Sequence, residues 1–272
     1  GFEFTLEDWN LFDSSPEWRE MTLGPPDARL AKIQDPEIRA ALREAYDAGR
    51  GPIAGGGVEA DGVVVGSGIA ALVLEWTESD DPELKQYEGF TVGEIAEQRG
   101  VHPIDAMLDV VVADDLKAGF GTPPRETDVE VMSEIANSAF AIPGVSDGGA
   151  HTKFITLGAY PTEFLAHWVR DKGIMDLEQA HWRLSAYPAQ AAGFKDRGWI
   201  KEGAPADIVI YDYDNLSLGE SSRASDFPAG AWRLIRKPEG YRWIMVNGEV
   251  TFSDGDGSGA TPGQLLRHGQ SV

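Results

Sequence analysis

Apolar positions in this chain fall into a helical period over two stretches and into short strand-like runs elsewhere, with glycine and proline marking the joins. Between residues 27 and 49, Leu30, Ile33, Ile38, Leu42 and Tyr46 keep helical spacing, broken at Pro36 and closed by Gly49, which predicts two short helices. Residues 51–68 are glycine-rich, yet Val63, Val64 and Val65 form a short apolar run that reads as a buried strand. Thr91 and Glu94 have the spacing of a capping box, in which side chain and backbone amide satisfy each other, and the helical pattern resumes after Pro103 from Ile104 to Leu116. Residues 117–122 suit a short strand. Thr127 and Glu130 form a second capping-box pattern that predicts another helix. A strand over 140–145 is then predicted to end at Ser146-Asp147-Gly148-Gly149. This alternation of strand and helix predicts a parallel α/β architecture.

Beyond Asp147 the pattern changes. Residues 161–172 and 177–192 read as two helices, stopped by Gly173 and Gly193. From Arg197 onward strands and turns take over, including a strand at 206–212 and a hairpin at 243–252 with Asn247-Gly248 at its turn. The first 26 residues, with Trp9, Phe12, Pro16, Trp18, Pro25 and Pro26, suit an irregular segment packed over a core. Those aromatics fit either a pocket cover or plain core packing.

Composition narrows the function classes. A length of 272 residues and a hydrophobic share of 42% are globular values. The formal charge of -22, from 45 carboxylates against 23 Lys and Arg, argues against nucleic acid as a partner. With no cysteine there is no disulfide, thiolate nucleophile or zinc-finger site. No apolar run reaches the length a membrane helix needs, and Gly1-Phe2-Glu3-Phe4 has neither a basic start nor an apolar leader core. A soluble, cytoplasmic protein is expected. The opening, without Met or a polar lead-in, reads as an internal segment of something longer. Gly55-Gly56-Gly57 and Gly66-Ser67-Gly68 lack the Gly-Lys-Ser/Thr of a phosphate loop and read as flexible loops.

Candidate chemistry centres on Asp147. An aspartate at a strand end before two glycines leaves room for a ligand against the backbone, as at the catalytic face of a β/α barrel. The same residue would serve equally to cap a helix or shape a turn. Wider context separates the two. Ser146-Asp147-Gly148-Gly149-Ala150-His151, two helices, then Gly198-Trp199-Ile200-Lys201-Glu202-Gly203-Ala204-Pro205-Ala206-Asp207-Ile208-Val209-Ile210-Tyr211-Asp212 and Val246-Asn247-Gly248 resemble the C-terminal half of the amidohydrolase superfamily, in its D-aminoacylase or N-acyl-D-amino-acid deacylase branch.

That resemblance implies the C-terminal half of a (β/α)8 TIM-type barrel over residues 1–195, plus strands of a small β-sandwich over 196–272. It implies a metal-dependent hydrolase of amide bonds in N-acyl amino acids. Asp147, as the strand-8 aspartate, would take a proton from metal-activated water, return it to the leaving amine, and also ligate the metal, with zinc the expected ion. The family's His-x-His and its further histidine ligands do not occur before Asp147; only His102 lies upstream. An obligate partner, an N-terminal half-barrel chain or fragment, is therefore expected. His102, His167 and His181 read as structural and His268 as uninformative. His151, four residues past Asp147, and Lys153, the cation of the following loop, are candidates for substrate contact. Phe154 and Ile155 hint at a more apolar substrate, which keeps open a hydrolase of another C–N or C–C bond. A non-catalytic subunit that retains the fold is a further alternative.

Overall fold

The computed structural model describes residues 3–7, 12–13, 15–50, 68–122, 127–144, 152–153 and 157–268. They form two compact units, 1–125 and 126–272. The predicted strand at Val63 to Val65 and the two glycine-rich loops, apart from Gly68, lie outside the described residues.

In the first unit, β1 (Glu3–Phe4) precedes three helices, α1 (Pro16–Thr22), α2 (Pro26–Ile33) and α3 (Pro36–Asp47). Each helix begins with proline, whose missing N–H is among those a first turn leaves unbonded anyway. Asp35 caps α3 by accepting from the backbone N–H of Glu37 and Ile38, and Gly49 follows with φ 72°, so the two helices predicted around Pro36 are present. Next come β2 (Val73–Trp76), α4 (Pro82–Lys85), α5 (Val92–Arg99), α6 (Pro103–Ala113) and β3 (Gly119–Gly121). Both halves of the Thr91 and Glu94 capping box form.

Strand β3 is buried throughout and lies between β1 and β2. Its glycines let the sheet close: a Cβ on Gly119 would overlap the Trp76 ring, and one on Gly121 the Glu75 carboxylate. Around Phe120 a run of aromatic contacts builds the core, with Phe4 5.1 Å from Phe12 and Phe12 4.8 Å from Trp18, centroid to centroid. Phe12 and Trp18 are thus core residues. A charged lattice ties the helices together: Arg39 reaches Asp105 and Asp109, Arg43 reaches Asp105, and Arg99 reaches Asp109.

The second unit starts with α7 (Val129–Asn137), capped by Asp128. The sequence pattern pointed to Thr127; Asp128 takes the role because its carboxylate accepts from both Glu130 and Val131 N–H. Helix α8 (Tyr160–Glu163) runs directly into a π-helix, Phe164–Asp171. After Gly173, with φ 65°, come α9 (Leu177–Leu184) and α10 (Ala186–Ala191). The π-helix buries Phe164, Leu165, Ala166 and Val169 against Ile174, Ala180 and Leu216. Its Arg170 donates to the carbonyls of Tyr213 and Leu216, at 3.0 and 2.7 Å.

The remaining strands are β4 (Ile208–Tyr211), β5 (Ser217–Ala224), β6 (Arg233–Glu239), β7 (Tyr241–Val246), β8 (Glu249–Ser253) and β9 (Asp256–Gly257). They make a four-stranded sheet in the order β4-β7-β8-β9 and a separate β5-β6 pair. The hairpin turn falls where Asn-Gly predicts it, with φ 48° at Asn247 and 82° at Gly248.

Two sequence expectations are corrected. Every strand pair among the described residues is antiparallel, whereas the alternation of elements predicted parallel pairing. Between β2 and β3 the chain passes through two packed helices, α5 and α6, and such a pair returns the chain to the end of the sheet it left. A single crossover helix would have carried it to the other end. The predicted strand over 140–145 is also missing as far as the description reaches: residues 141–144 have no regular structure and Phe140 is 96% exposed. Pro143 has no N–H to offer a ladder. Side chains hold the carbonyls at its approach and start: Arg183, 2% exposed, donates to those of Asn137 and Ser138 at the end of α7 and of Ala141 within the predicted strand, at 2.8, 3.0 and 2.9 Å, and the Tyr187 hydroxyl donates to that of Ala139 at 2.6 Å.

Candidate functional site

Asp147 and His151, the two central residues of the sequence reading, lie outside the described residues; their flanks do not. On the upstream side, Arg183 and Tyr187 clamp the backbone of residues 137–141 onto α9 and α10. On the downstream side, the N–H of Leu234 in β6 donates to the carbonyl of Thr152 at 2.8 Å. The segment that carries Asp147 is therefore tied at both ends to elements of the second unit.

Lys153 is the predicted site residue whose surroundings are described. Its ammonium lies 4.8 Å from the ring centroid of Trp232, and the guanidinium of Arg223 lies 4.0 Å from the same centroid. Both are cation–π distances. Trp232 is buried, at 7% exposure, and its indole Nε1 has no hydrogen-bond partner. The β5-β6 pairing sets Arg223 opposite Leu234, so the strand that holds Thr152 also brings Arg223 to Lys153. Sequence reasoning missed Arg223, Trp232 and Arg183. Arg223 lies in a polar stretch with no motif spacing, and Trp232 follows a turn; their relation to Lys153 arises only from strand pairing.

The histidines other than His151 are engaged elsewhere. His102 caps α6, its Nδ1 accepting from Ile104 N–H at 3.1 Å, with Nε2 3.2 Å from Asp47. His167 packs edge-on against Trp168. Nε2 of His181 lies 2.6 Å from the Tyr211 hydroxyl. Partial desolvation lowers the His181 pKa, opposed by Glu178, while burial, helped by Tyr213 and Tyr241, pushes Tyr211 up to about 12. Both shifts favour the uncharged forms, an imidazole beside a phenol. Nδ1 of His268 meets the Ala192 carbonyl at 2.8 Å. Among the described residues no group of three or more His, Asp or Glu side chains could hold a metal ion. No helix among them is long and apolar enough to cross a membrane.

A groove of about 680 Å³ lies beside the larger sheet, lined by Pro161 and Thr162 of α8 and by Val209, Ile244 and Phe252. The register aligns those three across β4, β7 and β8. Val209 and Phe252 remain 51% and 45% exposed.

Comparison with known proteins places these features in a family. An uncharacterised protein of Mycobacterium tuberculosis (strain ATCC 25618 / H37Rv) is 25% identical over 205 residues, covering 68% of this chain and 33% of that protein. An N-acyl-D-glutamate deacylase of Alcaligenes xylosoxydans xylosoxydans is 33% identical over 112 residues, 41% of this chain and 21% of the enzyme. A solved D-aminoacylase structure aligns with TM-score 0.44 and 23% identity over 75% of this chain and 39% of that one. The chain thus spans about a third of the length of the first curated relatives it matches. Residues 83–252 match the family described as Amidohydrolase family. That stretch is more than half of the sequence and runs from α4 through β8, so the chain belongs to the amidohydrolase family.

Proposed function

We propose that this chain is the C-terminal part of a hydrolase that cleaves the amide C–N bond of an N-acyl amino acid, with Asp147 as its proton-transfer group. The observation that carries the reading is the family match over 83–252, which encloses Asp147, His151 and Lys153. Relatives named N-acyl-D-glutamate deacylase, N-acyl-D-aspartate deacylase and D-aminoacylase support the bond type.

In this reading water adds to the acyl carbon, the C–N bond breaks, and the amine leaves protonated. Asp147 takes the proton of the attacking water and delivers it to the departing nitrogen. Lys153, and His151 beside it, would hold the substrate rather than handle protons. Zinc, the ion the resemblance implies, has no three-ligand set among the described residues. They do not make a metal site, and its histidine ligands are assigned to a complementary segment outside this chain.

That segment would complete a (β/α)8 barrel, of which this chain supplies the C-terminal half, and a small β-sandwich. The half-exposed row of Val209 and Phe252 supports it, since apolar side chains aligned across three strands favour a covering layer.

The test combines this chain with its complementary half and follows hydrolysis of N-acetyl-D-amino acids. Asp147→Asn keeps the shape and deletes the base, so kcat should fall by roughly 10²–10⁴-fold with the thermal midpoint nearly unchanged. Turnover close to that of the unaltered protein would refute the role of Asp147. Hydrolysis of neutral apolar amides alone would favour the alternative of another C–N bond.

A further inference from the structure

We propose that Asn247 is a covalent modification site: it deamidates to aspartate or isoaspartate at a rate set by the fold, and the change unfastens the C-terminal segment 258–268 from the sheet.

Asn247 and Gly248 form the turn between β7 and β8, with φ 48° and 82°. In an asparagine–glycine pair the next backbone nitrogen reaches the side-chain amide carbon readily, because glycine has no Cβ to stand in the way. Gly248 is exposed and Asn247 half-buried, so solvent reaches both. The reaction needs only water. Gly248 N loses its proton to solvent base and bonds to Asn247 Cγ, the Cγ–Nδ2 bond breaks, and ammonia leaves with a proton taken from water. Water then adds to one of the two carbonyls of the cyclic imide and breaks its bond to nitrogen, giving aspartate or isoaspartate.

The fold holds both reacting groups back. The nucleophile, Gly248 N–H, donates to the Ala206 carbonyl at 2.9 Å, and the leaving group, Nδ2, donates to the Pro262 carbonyl at 2.7 Å. Both bonds must open before nitrogen meets carbon.

Pro262 lies in the segment that follows β9. Ser258 fastens the start of that segment, through N–H to the Thr251 carbonyl at 2.9 Å and Oγ to the Val250 carbonyl at 2.7 Å. His268 fastens its end at the Ala192 carbonyl. Between them the chain has no regular structure and Leu265 is 76% exposed, so little apolar burial supports it and the Asn247 bond holds its middle. Deamidation replaces the Nδ2 donor with a carboxylate oxygen, which a carbonyl oxygen repels. Arg197 attracts the new charge: it donates to Asn247 Oδ1 at 3.4 Å and to Asp207 at 2.6 Å. The carboxylate therefore turns toward Arg197 and away from Pro262.

Ageing the full chain at alkaline pH, with peptide mass spectrometry at position 247 and the same chain in urea as the unfolded reference, tests the site. Modification should occur in both, roughly 5- to 160-fold more slowly in the folded chain, the range that two ordinary hydrogen bonds give. Trypsin cleavage after the exposed Arg267 reads release of the segment, since its neighbour His268 is held at the end of α10. Asn247→Asp should speed that cleavage by at least about twofold. Asn247→Gly, which suits the turn but deletes the donor, should speed it as well, with circular dichroism confirming the fold of each variant. A folded-chain modification rate outside that range in either direction, or cleavage unchanged in either variant, would overturn the proposal.

Discussion

Replacing Arg183 with methionine removes the clamp ahead of Asp147 while keeping most of the buried volume. Three donated hydrogen bonds end on the carbonyls of Asn137, Ser138 and Ala141, and bonds from a charged donor contribute roughly 1.5–3 kcal/mol each. Two effects offset the loss. Arg183 Nε is buried without a partner, so its removal recovers roughly 1–3 kcal/mol of desolvation. The freed carbonyls also lie in a segment whose residues Ala139 and Phe140 are exposed, so water can reach them. Taking each bond at the low end leaves a net destabilisation of roughly 1.5–3.5 kcal/mol. For a unit of this size that corresponds to a midpoint lowered by roughly 3–14 °C. Thermal denaturation followed by circular dichroism gives the first readout, and hydrogen exchange at the amides of residues 137–144 gives the second. A midpoint within about 2 °C of the unaltered chain, with exchange unchanged, would refute the clamp.

Other perturbations give separate checks. His181 has a folded pKa below its ordinary value, chiefly from desolvation, so the unfolded chain binds its proton more readily. Its contribution is complete above the unfolded pKa, near 6.5, and is lost as pH falls through the folded value. Midpoints measured from pH 7.5 downward should therefore decline less steeply in His181→Gln, and equal slopes would contradict this. Gly119→Ala should destabilise the first unit by about 1–3 kcal/mol, because the new methyl overlaps the Trp76 ring; an unchanged denaturant midpoint would show that the ring can move aside.

Local chemistry made much of the fold legible. The Thr91 and Glu94 box, the Asn247-Gly248 turn and the stop at Gly173 all depend on interactions within a few residues, and each is found where its pattern predicts. The segment after Ser138 was misleading for the opposite reason. Its apolar run suits a strand, but Arg183 and Tyr187, more than forty positions away, hold the carbonyls of Ala141 and Ala139, and nothing local records that. Strand direction failed similarly, since a helix pair and a single crossover helix have the same periodicity. For the site, the sequence singled out Lys153 but not its companions. Arg223 and Trp232 acquire meaning only through the β5-β6 register, which polar alternation over residues 217–224 does not specify. Asp147 is singled out by resemblance, through a motif that extends over the helices and strands that follow, and lies outside the described residues.

The π-helix from Phe164 to Asp171 constrains how this part of the chain can change. A π-turn holds one residue more than an α-turn, so its two ends face as they would across an α-helix one residue shorter, and about 100° away from an α-helix of the same length. Arg170 stands near its C-terminal end, fastened to the carbonyls of Tyr213 and Leu216, while Phe164, Leu165 and Ala166 face the core at its start. Relaxing to the commoner α form at unchanged length would swing the guanidinium away from its carbonyls, whereas deleting a single residue between them would allow the α form and keep the two ends facing as they do. Side chains in this stretch can therefore drift, and a residue can be lost only together with the π winding: the helix acts as a ruler, its winding matched to a count of residues between an apolar floor and two oxygen atoms.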